Sequence, residues 1–541
     1  MNKLFFWSLK ISIMIHAGSC LASSCNPYRQ DCQVDLPFFQ KKLSAYTSHL
    51  PGTNGRPIKR LLIGIHGYGR DAKGLYQALF RAATVSQISD ETLIFVPQFR
   101  VYDEGSSNSL LDGYWYWTKK GWIQGDQSVD GGVSSFTLID ALIKKNLVYG
   151  ALPLLRDVVI AGHSAGGQFV QRYGIFSDVE KNYPAINFTY VVANPSNYLY
   201  LDEKRPDWAG IFPGGGAYVS EEIDGLGLEK PHFLDPYHRH KTSFELKPEF
   251  ANLSSGLHSS NSKPCLCHEG YPCAYEQYKY GFSFRPDQKN HYVCSGHTGL
   301  PCNRLDRYSI KARTQDFLSR KVIYLLAVHD NAYNSTKESA YRNLGTSCAA
   351  NFQGPDRLTR GMYYFEHLNN YGGHRHQLVF VPNAGHGYWD VFRHSERGRR
   401  ALFGGDLPKE ERLAPGILIG SKEWPGFHLT SQGDELAMEN KQSPWIFQKV
   451  GGEGYFIIAM ESMSYLTALN GRLKVRPYSH SDDKLWELVP SPYYPNRVTI
   501  KHKASGAYLS LQASGEQAGC VGLSQSSHSQ WMLHGFKGQS S

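Results

Sequence analysis

The pentapeptide Gly162-His163-Ser164-Ala165-Gly166 stands directly after the apolar run Asp157-Val158-Val159-Ile160-Ala161 and shortly before Gln168-Phe169-Val170-Gln171-Arg172-Tyr173, a stretch suited to a helix. A buried strand must therefore hand over to a helix within one tight turn, with a serine at its apex. Such a turn forces unusual dihedrals on the serine. Flanking glycines let neighbouring backbone pass without a Cβ clash while the hydroxyl stays exposed.

The surrounding sequence extends this unit. From about 55 to 400, short apolar runs alternate with helix-length amphipathic stretches, the pattern of a mostly parallel sheet covered on both faces. The fold class expected is α/β, doubly wound. Strands are expected at 60–65, 92–97, 157–161, 188–193, 322–328 and 377–382, each ending in a polar loop. Chemistry in open α/β sheets collects beyond the carboxyl ends of the strands, so these loops are where reactive groups are sought. Between Asp202 and Lys321 the rhythm fails, giving a glycine run at 214–216, many prolines and a cluster of cysteines. An unstructured excursion of that length inside a compact domain is improbable, so 203–320 reads as an inserted, cross-linked cap.

With 541 residues, 41% of them hydrophobic, the chain can bury more than one core, and two or more domains are expected. The formal charge of +9 is modest for this length and its Lys and Arg are scattered, which argues against nucleic acid as a partner. At the N-terminus, Lys3, the apolar run 4–15 and the small residues Ala17, Gly18, Ala22, Ser23 and Ser24 have the layout of a secretory signal peptide spanning 1–24. That run is too short for a membrane span, and no later segment reads as transmembrane. Ala17-Gly18-Ser19-Cys20 lacks the leucine usual three residues before a lipidated cysteine, which argues against acylation.

Cleavage before Cys25 would remove Cys20 and leave nine cysteines: Cys25, Cys32, Cys265, Cys267, Cys273, Cys294, Cys302, Cys348 and Cys520. The central five lie near His268, His291 and His297 but lack paired Cys-x-x-Cys hooks. Disulfides in an oxidising compartment are expected rather than a zinc site. Sequons stand at Asn187, Asn252 and Asn334.

Beyond the 25–54 segment and a main domain over 55–415, the texture changes. Over 416–541, short β-like runs recur three times once the tryptophans are aligned. The repeats start at Ile417, Phe456 and Val498, pass through Phe427-His428-Leu429-Thr430, Tyr465-Leu466-Thr467 and Tyr508-Leu509-Ser510, and end at Trp445, Trp486 and Trp531. Three such units resemble an all-β trefoil of the ricin-B-like kind, in which the tryptophans would be core residues. Ricin-type modules often carry Gln two places before this tryptophan, where Ser443, Lys484 and Ser529 stand here.

Two further loops answer the serine. After the run at 60–65 comes His66-Gly67-Tyr68-Gly69-Arg70, whose glycines would let backbone amides turn toward a bound carbonyl. The amides of Tyr68 and Ala165 are the expected oxyanion donors, each such donor stabilising the intermediate by about 3 kcal/mol. Serine is a weak nucleophile at neutral pH and needs a histidine base oriented by a carboxylate. His386, in Asn383-Ala384-Gly385-His386-Gly387-Tyr388, lies just past the last expected strand and is the best base. His374 and His376 precede that strand, and His66 and His163 sit within the other motifs. For the acid, Asp330 at the end of the 322–328 run leads, with Asp202 and Asp390 as alternatives.

Taken in order, the serine turn, the His66 loop, Asp330 and His386 resemble an α/β-hydrolase serine esterase over some two thirds of the chain. The resemblance implies a Ser164-His386-Asp330 triad, an acyl-enzyme and no cofactor or metal. Tyr114, Trp115, Tyr116, Trp117 and Trp122 follow the second expected strand and could line an acyl or aryl pocket. By analogy, an appended trefoil tethers an enzyme to a surface, suggesting esters of polysaccharides, glycolipids or polyesters as substrates and a glycan as trefoil ligand. The competing expectation is a lectin-like binding protein whose hydrolase-like domain is inactive or secondary.

Overall fold

In the computed structural model, the apolar runs become the strands of one sheet because each is buried on both faces and has no polar side to turn to water. The structure describes residues 33–49, 57–102, 113–148, 152–202, 204–206, 278–281, 307–330, 344–345, 347–354, 356–382, 384–407, 412–421, 424–441, 443, 445–450, 454–459, 464–476, 482–490, 497–511, 521–525 and 529–535, with short strand pieces between 222 and 234. The expected signal peptide, the glycine run at 214–216 and the cysteine cluster lie outside these residues. Every expected cysteine lies there as well except Cys348, of which only the backbone is described.

The sheet has eight strands: β1 (Gln33–Phe38), β2 (Lys41–Thr47), β3 (Arg60–Ile65), β4 (Thr92–Pro97), β5 (Asp157–His163), β6 (Asn187–Ala193), β7 (Val322–Ala327) and β8 (Gln377–Val381). Their order across the sheet is β1-β2-β4-β3-β5-β6-β7-β8. Strands β3 to β8 run parallel to their neighbours, whereas β1 pairs antiparallel with β2, and β2 antiparallel with β4. This is the doubly wound, mostly parallel sheet of the α/β-hydrolase fold. The two antiparallel strands were not legible as apolar runs because β1 alternates exposed and half-buried residues, as an edge strand does.

Helices α1 (Ala72–Val85), α2 (Ser135–Val148), α3 (Ala165–Phe176), α4 (Arg307–Ser319), α5 (Arg357–Asn369) and α6 (Glu396–Phe403) lie between or after the parallel strands. Two apolar clusters result. One holds β3 and β5 residues such as Leu61 and Ile160 with Phe169 and Tyr173 of α3; the other holds Leu62 and Val159 with Leu75 and Leu79 of α1. Of the stretch 203–320, its last part is α4, which packs on α3: Arg313 donates to the Phe176 carbonyl (3.1 Å), and Arg320 just beyond donates to those of Gly174 and Ser177. Among the described residues no helix is long and apolar enough to cross a membrane.

The C-terminal region is a second all-β body of twelve strands in three groups of four: β9–β12 (Arg412–Ser421, His428–Gln432, Glu435–Glu439, Trp445–Val450), β13–β16 (Gly454–Ala459, Ser464–Leu469, Arg472–Arg476, Trp486–Pro490) and β17–β20 (Arg497–His502, Tyr508–Leu511, Val521–Ser524, Trp531–Gly535). First and fourth strands pair around a closed ring, β9-β12-β13-β16-β17-β20 and back to β9, making a six-stranded barrel. Second and third strands form a hairpin in each group. Closure removes every barrel edge, and this is the β-trefoil.

The threefold symmetry reaches single hydrogen bonds. Trp445, Trp486 and Trp531 are fully buried, and each indole donates to a leucine carbonyl of its own hairpin: Leu429 (2.8 Å), Leu466 (2.9 Å) and Leu509 (3.0 Å). Strand register shifts two of the expected equivalences by one residue. Trp445, Trp486 and Trp531 oppose Ile417, Tyr455 and Val498, so the second repeat begins at Tyr455 rather than Phe456. His428, Tyr465 and Tyr508 share the next equivalent site, facing Gly420, Ile458 and Lys501. Phe427, matched to the tyrosines by its aromatic character, is instead a half-exposed residue beside the hairpin. Replacing Trp486 with Ala is expected to destabilise the C-terminal domain by about 3–5 kcal/mol, measured by urea denaturation of the full chain. Phe427→Ala is expected to cost under about 0.5 kcal/mol.

Candidate active site

Strand β5 ends at His163, and the next residue carries the strain: Ser164 has φ 59° and ψ −118° before α3 begins at Ala165. A side chain in that region is costly unless the surroundings enforce it. Here they do, because the crossing backbone leaves no room for another path. A Cβ on Gly162 would lie 2.2 Å from the Gly166 carbonyl oxygen, and one on Gly166 would lie 2.0 Å from that of Ile65. Both glycines are therefore steric requirements of the turn. Ser164 N–H is held by the Ala193 carbonyl (2.9 Å), tying the turn to the end of β6.

The hydroxyl meets a histidine. Ser164 Oγ lies 2.9 Å from His386 Nε2, and His386 Nδ1 lies 2.6 Å from Asp330 Oδ2. With its proton on Nδ1, the imidazole donates to the carboxylate and its Nε2 accepts from the serine. The three groups come from the ends of three parallel strands: Ser164 after β5, Asp330 three residues after β7, and His386 in the loop after β8. Asp330 is buried (1% exposed) and its second oxygen, Oδ1, accepts from Arg357 at 3.3 Å. Burial pushes the His386 imidazole below the usual histidine value of 6.5; Asp330 opposes that shift and the Arg357 cation adds to it.

The other acids and histidines lie elsewhere. Asp202 accepts from Tyr371 Oη (2.9 Å) and faces His367, and Asp390 accepts from the exposed His394 (3.1 Å). His376 sits at the start of β8, at the opposite end of the sheet, where Nε2 bonds the Phe317 carbonyl (2.7 Å) and burial drives its pKa down to about 3. Its neighbour His374 shares that end, bonded to Asn369.

The loop after β3 runs beside the serine, since a Cβ built on Gly67 would come 3.8 Å from the Ser164 Cβ. Its shape is fixed by His66, whose Nε2 accepts from the Phe99 amide (3.1 Å) while Nδ1 donates to the Gly67 carbonyl (3.0 Å). Burial holds His66 at a pKa of about 4, so it stays neutral and structural. Arg70 closes the turn with φ 59°, its amide bonding the Gly67 carbonyl (2.9 Å). Ala165 occupies the first position of α3, where an amide has no acceptor within the helix. The Tyr388 hydroxyl donates to Asp71 (2.7 Å), which also caps α1, so the histidine loop is tied to the end of the glycine loop.

The structure buries the aromatic residues offered as pocket walls. Trp117 and Trp122 are fully buried and Trp115 nearly so. Trp122 stacks on Phe99 (5.2 Å) and leans on His66 (4.7 Å), while the Trp115 indole donates to the Phe38 carbonyl (2.9 Å). They form the core beneath the glycine loop because apolar area that large is removed from water by preference. Sequence reasoning also passed over Arg357 and Asn194, whose Nδ2 lies 3.4 Å from His163 Nε2 and whose Oδ1 accepts from the Ala327 amide (2.8 Å). Neither carries a motif that would have marked it. Among the described residues no three His, Cys, Asp or Glu side chains converge as a metal-binding group.

No protein-family model matches this chain, and no curated protein matches it. Among solved structures, the poly(3-hydroxybutyrate) depolymerase LpqC from Bordetella parapertussis aligns over 70% of this chain and 92% of its own at 16% identity, with a TM-score of 0.39. Poly(aspartic acid) hydrolase-1 from Sphingomonas sp. KT-1 aligns over 69% of this chain and 97% of its own at 16% identity, TM-score 0.37. The designed threefold-symmetric protein ThreeFoil aligns over 22% of this chain and 97% of its own at 21% identity, TM-score 0.20. Likeness at these scores carries no argument, and the fold is read from strand order and barrel closure. Gly166→Ala is expected to destabilise the main domain by more than about 3 kcal/mol, because backbone rather than a flexible side chain meets the new methyl. Thermal denaturation checks this, with Gly69→Ala, which meets nothing within 4 Å, expected to melt like the parent.

Proposed function

We propose that this protein is a secreted serine hydrolase that cleaves carboxylic esters through an acyl-enzyme, with the trefoil directing it to a glycan or polymer surface. The observation that carries the reading is the continuous hydrogen-bonded line from Ser164 Oγ through His386 to Asp330 at the carboxyl edge of the sheet. In the first step His386 Nε2 takes the hydroxyl proton as Ser164 Oγ bonds the ester carbonyl carbon. Asp330 stabilises the imidazolium so formed. The amides of Tyr68 and Ala165 hold the oxyanion of the tetrahedral intermediate. Collapse breaks the bond to the alkoxy oxygen, which leaves with the proton from His386 as an alcohol. Water then repeats the sequence on the acyl-enzyme, releasing the acid and restoring the serine.

Secretion rests on the layout of residues 1–24, and surface targeting on a trefoil appended to an otherwise complete catalytic fold. The substrate classes consistent with this reading are esters of polysaccharides, glycolipids and polyesters.

Ser164→Ala is expected to lower hydrolysis of p-nitrophenyl esters by at least about 10³-fold and to abolish labelling by a fluorophosphonate probe. A parent protein silent toward both a broad ester panel and the probe would favour a glycan-binding role instead. The pH profile follows from the base. Neutral His386 is the active form, so kcat/KM is present at high pH and falls as pH drops through its apparent pKa. Because burial lowers that pKa, the acidic limb is expected below the ordinary histidine value of 6.5.

A further inference from the structure

We infer that Arg357 is a positioning residue for this reaction: its guanidinium grips the free oxygen of the Asp330 carboxylate and thereby holds the His386 imidazole in line with Ser164. The inference rests on the triad reading above and extends it to a group that no sequence motif marks.

The geometry is a relay of single contacts. Asp330 uses Oδ2 for His386 Nδ1 (2.6 Å) and Oδ1 for an Arg357 guanidinium nitrogen (3.3 Å), so both carboxylate oxygens are engaged on opposite duties. Arg357 is 0% exposed and Asp330 1%. A carboxylate so far from water needs partners on its remaining lone pairs, and a buried guanidinium supplies a permanent charge in a planar, directed form. Were only the histidine bonded, the carboxylate could rotate about its Cβ–Cγ bond and the imidazole would lose its fixed orientation.

The grip is also built into the main chain. Arg357 is the first residue of α5, whose cap Asp356 accepts from the Thr359 amide (2.8 Å). The next amide, Leu358 N–H, donates to the Asp330 carbonyl (3.1 Å). One helix start therefore fixes both the backbone and the side chain of the acid, at the point where the chain leaves β7. The positive end of the α5 dipole lies on the same side.

Charge decides how removal of Arg357 reads out. His386 is faced by Asp330 from the end of β7, by Arg357 from α5 and by the His163 ring from β5, whose centroid is 4.7 Å away. His163 is itself driven well below the usual histidine value by burial, and next by the charges of His386 and Arg357, so it stays neutral beside the base. Tyr198, buried after β6, faces Asp330, and its hydroxyl is held neutral by burial. Arg360, one turn along α5, is occupied by the carbonyls of Gly354, Ser196 and Gly345 and cannot replace Arg357 at the carboxylate. The Arg357 cation thus opposes protonation of His386 while its contact with Oδ1 orients Asp330. These two effects separate experimentally.

The test compares Arg357→Met, Arg357→Lys and Ser164→Ala in the full-length protein, using a p-nitrophenyl ester and near-UV circular dichroism to check folding. For folded Arg357→Met, kcat is expected to fall by about 10²-fold with KM nearly unchanged, and the acidic limb of kcat/KM to move to higher pH. Arg357→Lys keeps the charge but replaces the planar, directed guanidinium with a flexible ammonium, so kcat falls while the limb stays in place. A folded Arg357→Met with parental kcat and an unmoved limb overturns the inference. Should that variant not fold, Arg357→Lys is decisive in its place, and parental kcat there overturns the inference too. If Ser164→Ala retains activity, the triad reading fails instead, whatever the arginine variants do.

Discussion

The strained conformation of Ser164 is the constraint on which the main domain depends. A residue at φ 59° and ψ −118° persists only where the surrounding structure has no cheaper arrangement. Gly162 and Gly166 let the backbones of β3, β5 and α3 approach to distances at which no other side chain fits. The same approach lays the His66 loop against the serine and joins the serine amide to β6. Packing, strain and the presentation of the hydroxyl to His386 are thus one feature of the fold.

Around that serine the domain keeps its imidazoles neutral. His66, His163 and His386 are all shifted downward, with burial the largest cause in each case. Only His386 combines that environment with a carboxylate on one nitrogen and a hydroxyl on the other. His66 spends both nitrogens on backbone groups and so shapes the loop instead. Three histidines of the same chemistry are separated by their hydrogen-bond partners, His386 between a carboxylate and a hydroxyl and His66 between two backbone groups.

The trefoil solves a different problem by repetition. Each four-strand unit alone would leave open edges and an uncovered apolar face, and three of them close a barrel around Trp445, Trp486 and Trp531. Each indole spends its one donor on its own hairpin, so a residue too large to bury with an unsatisfied N–H becomes the staple of its repeat. Where Gln precedes the tryptophan in ricin-type modules, Ser443, Lys484 and Ser529 are buried here, and Ser529 accepts from the Leu511 amide (2.9 Å). These three positions serve the interior of the domain.

Much of this was legible in the chain because it rests on local constraints. The six inner strands, the serine turn, the glycine loop and the recurrence of tryptophans are written as apolar periodicity and glycine spacing, which act over a few residues. Chain order also singled out Asp330 and His386 as acid and base, and the structure brings both to Ser164. What it did not carry was contact between distant segments. The edge strands β1 and β2 have mixed polarity, and only pairing with β4 makes them strands of this sheet. Trp115, Trp117 and Trp122 read equally well as pocket wall or core, and only the folded chain shows them buried against Phe99, His66 and Phe38. Trefoil register moved Phe427 and Phe456 off their expected equivalences because backbone pairing, rather than residue type, sets which positions correspond. Arg357, 27 residues from Asp330, meets it only because α5 returns to the end of β7. Sequence alone therefore determined the inner strands, the tight turns and the candidate groups placed on them, through local geometry and pattern. Tertiary structure decided which of them share a charge and a hydrogen bond, since those energies depend on separations and burial that only the folded chain sets.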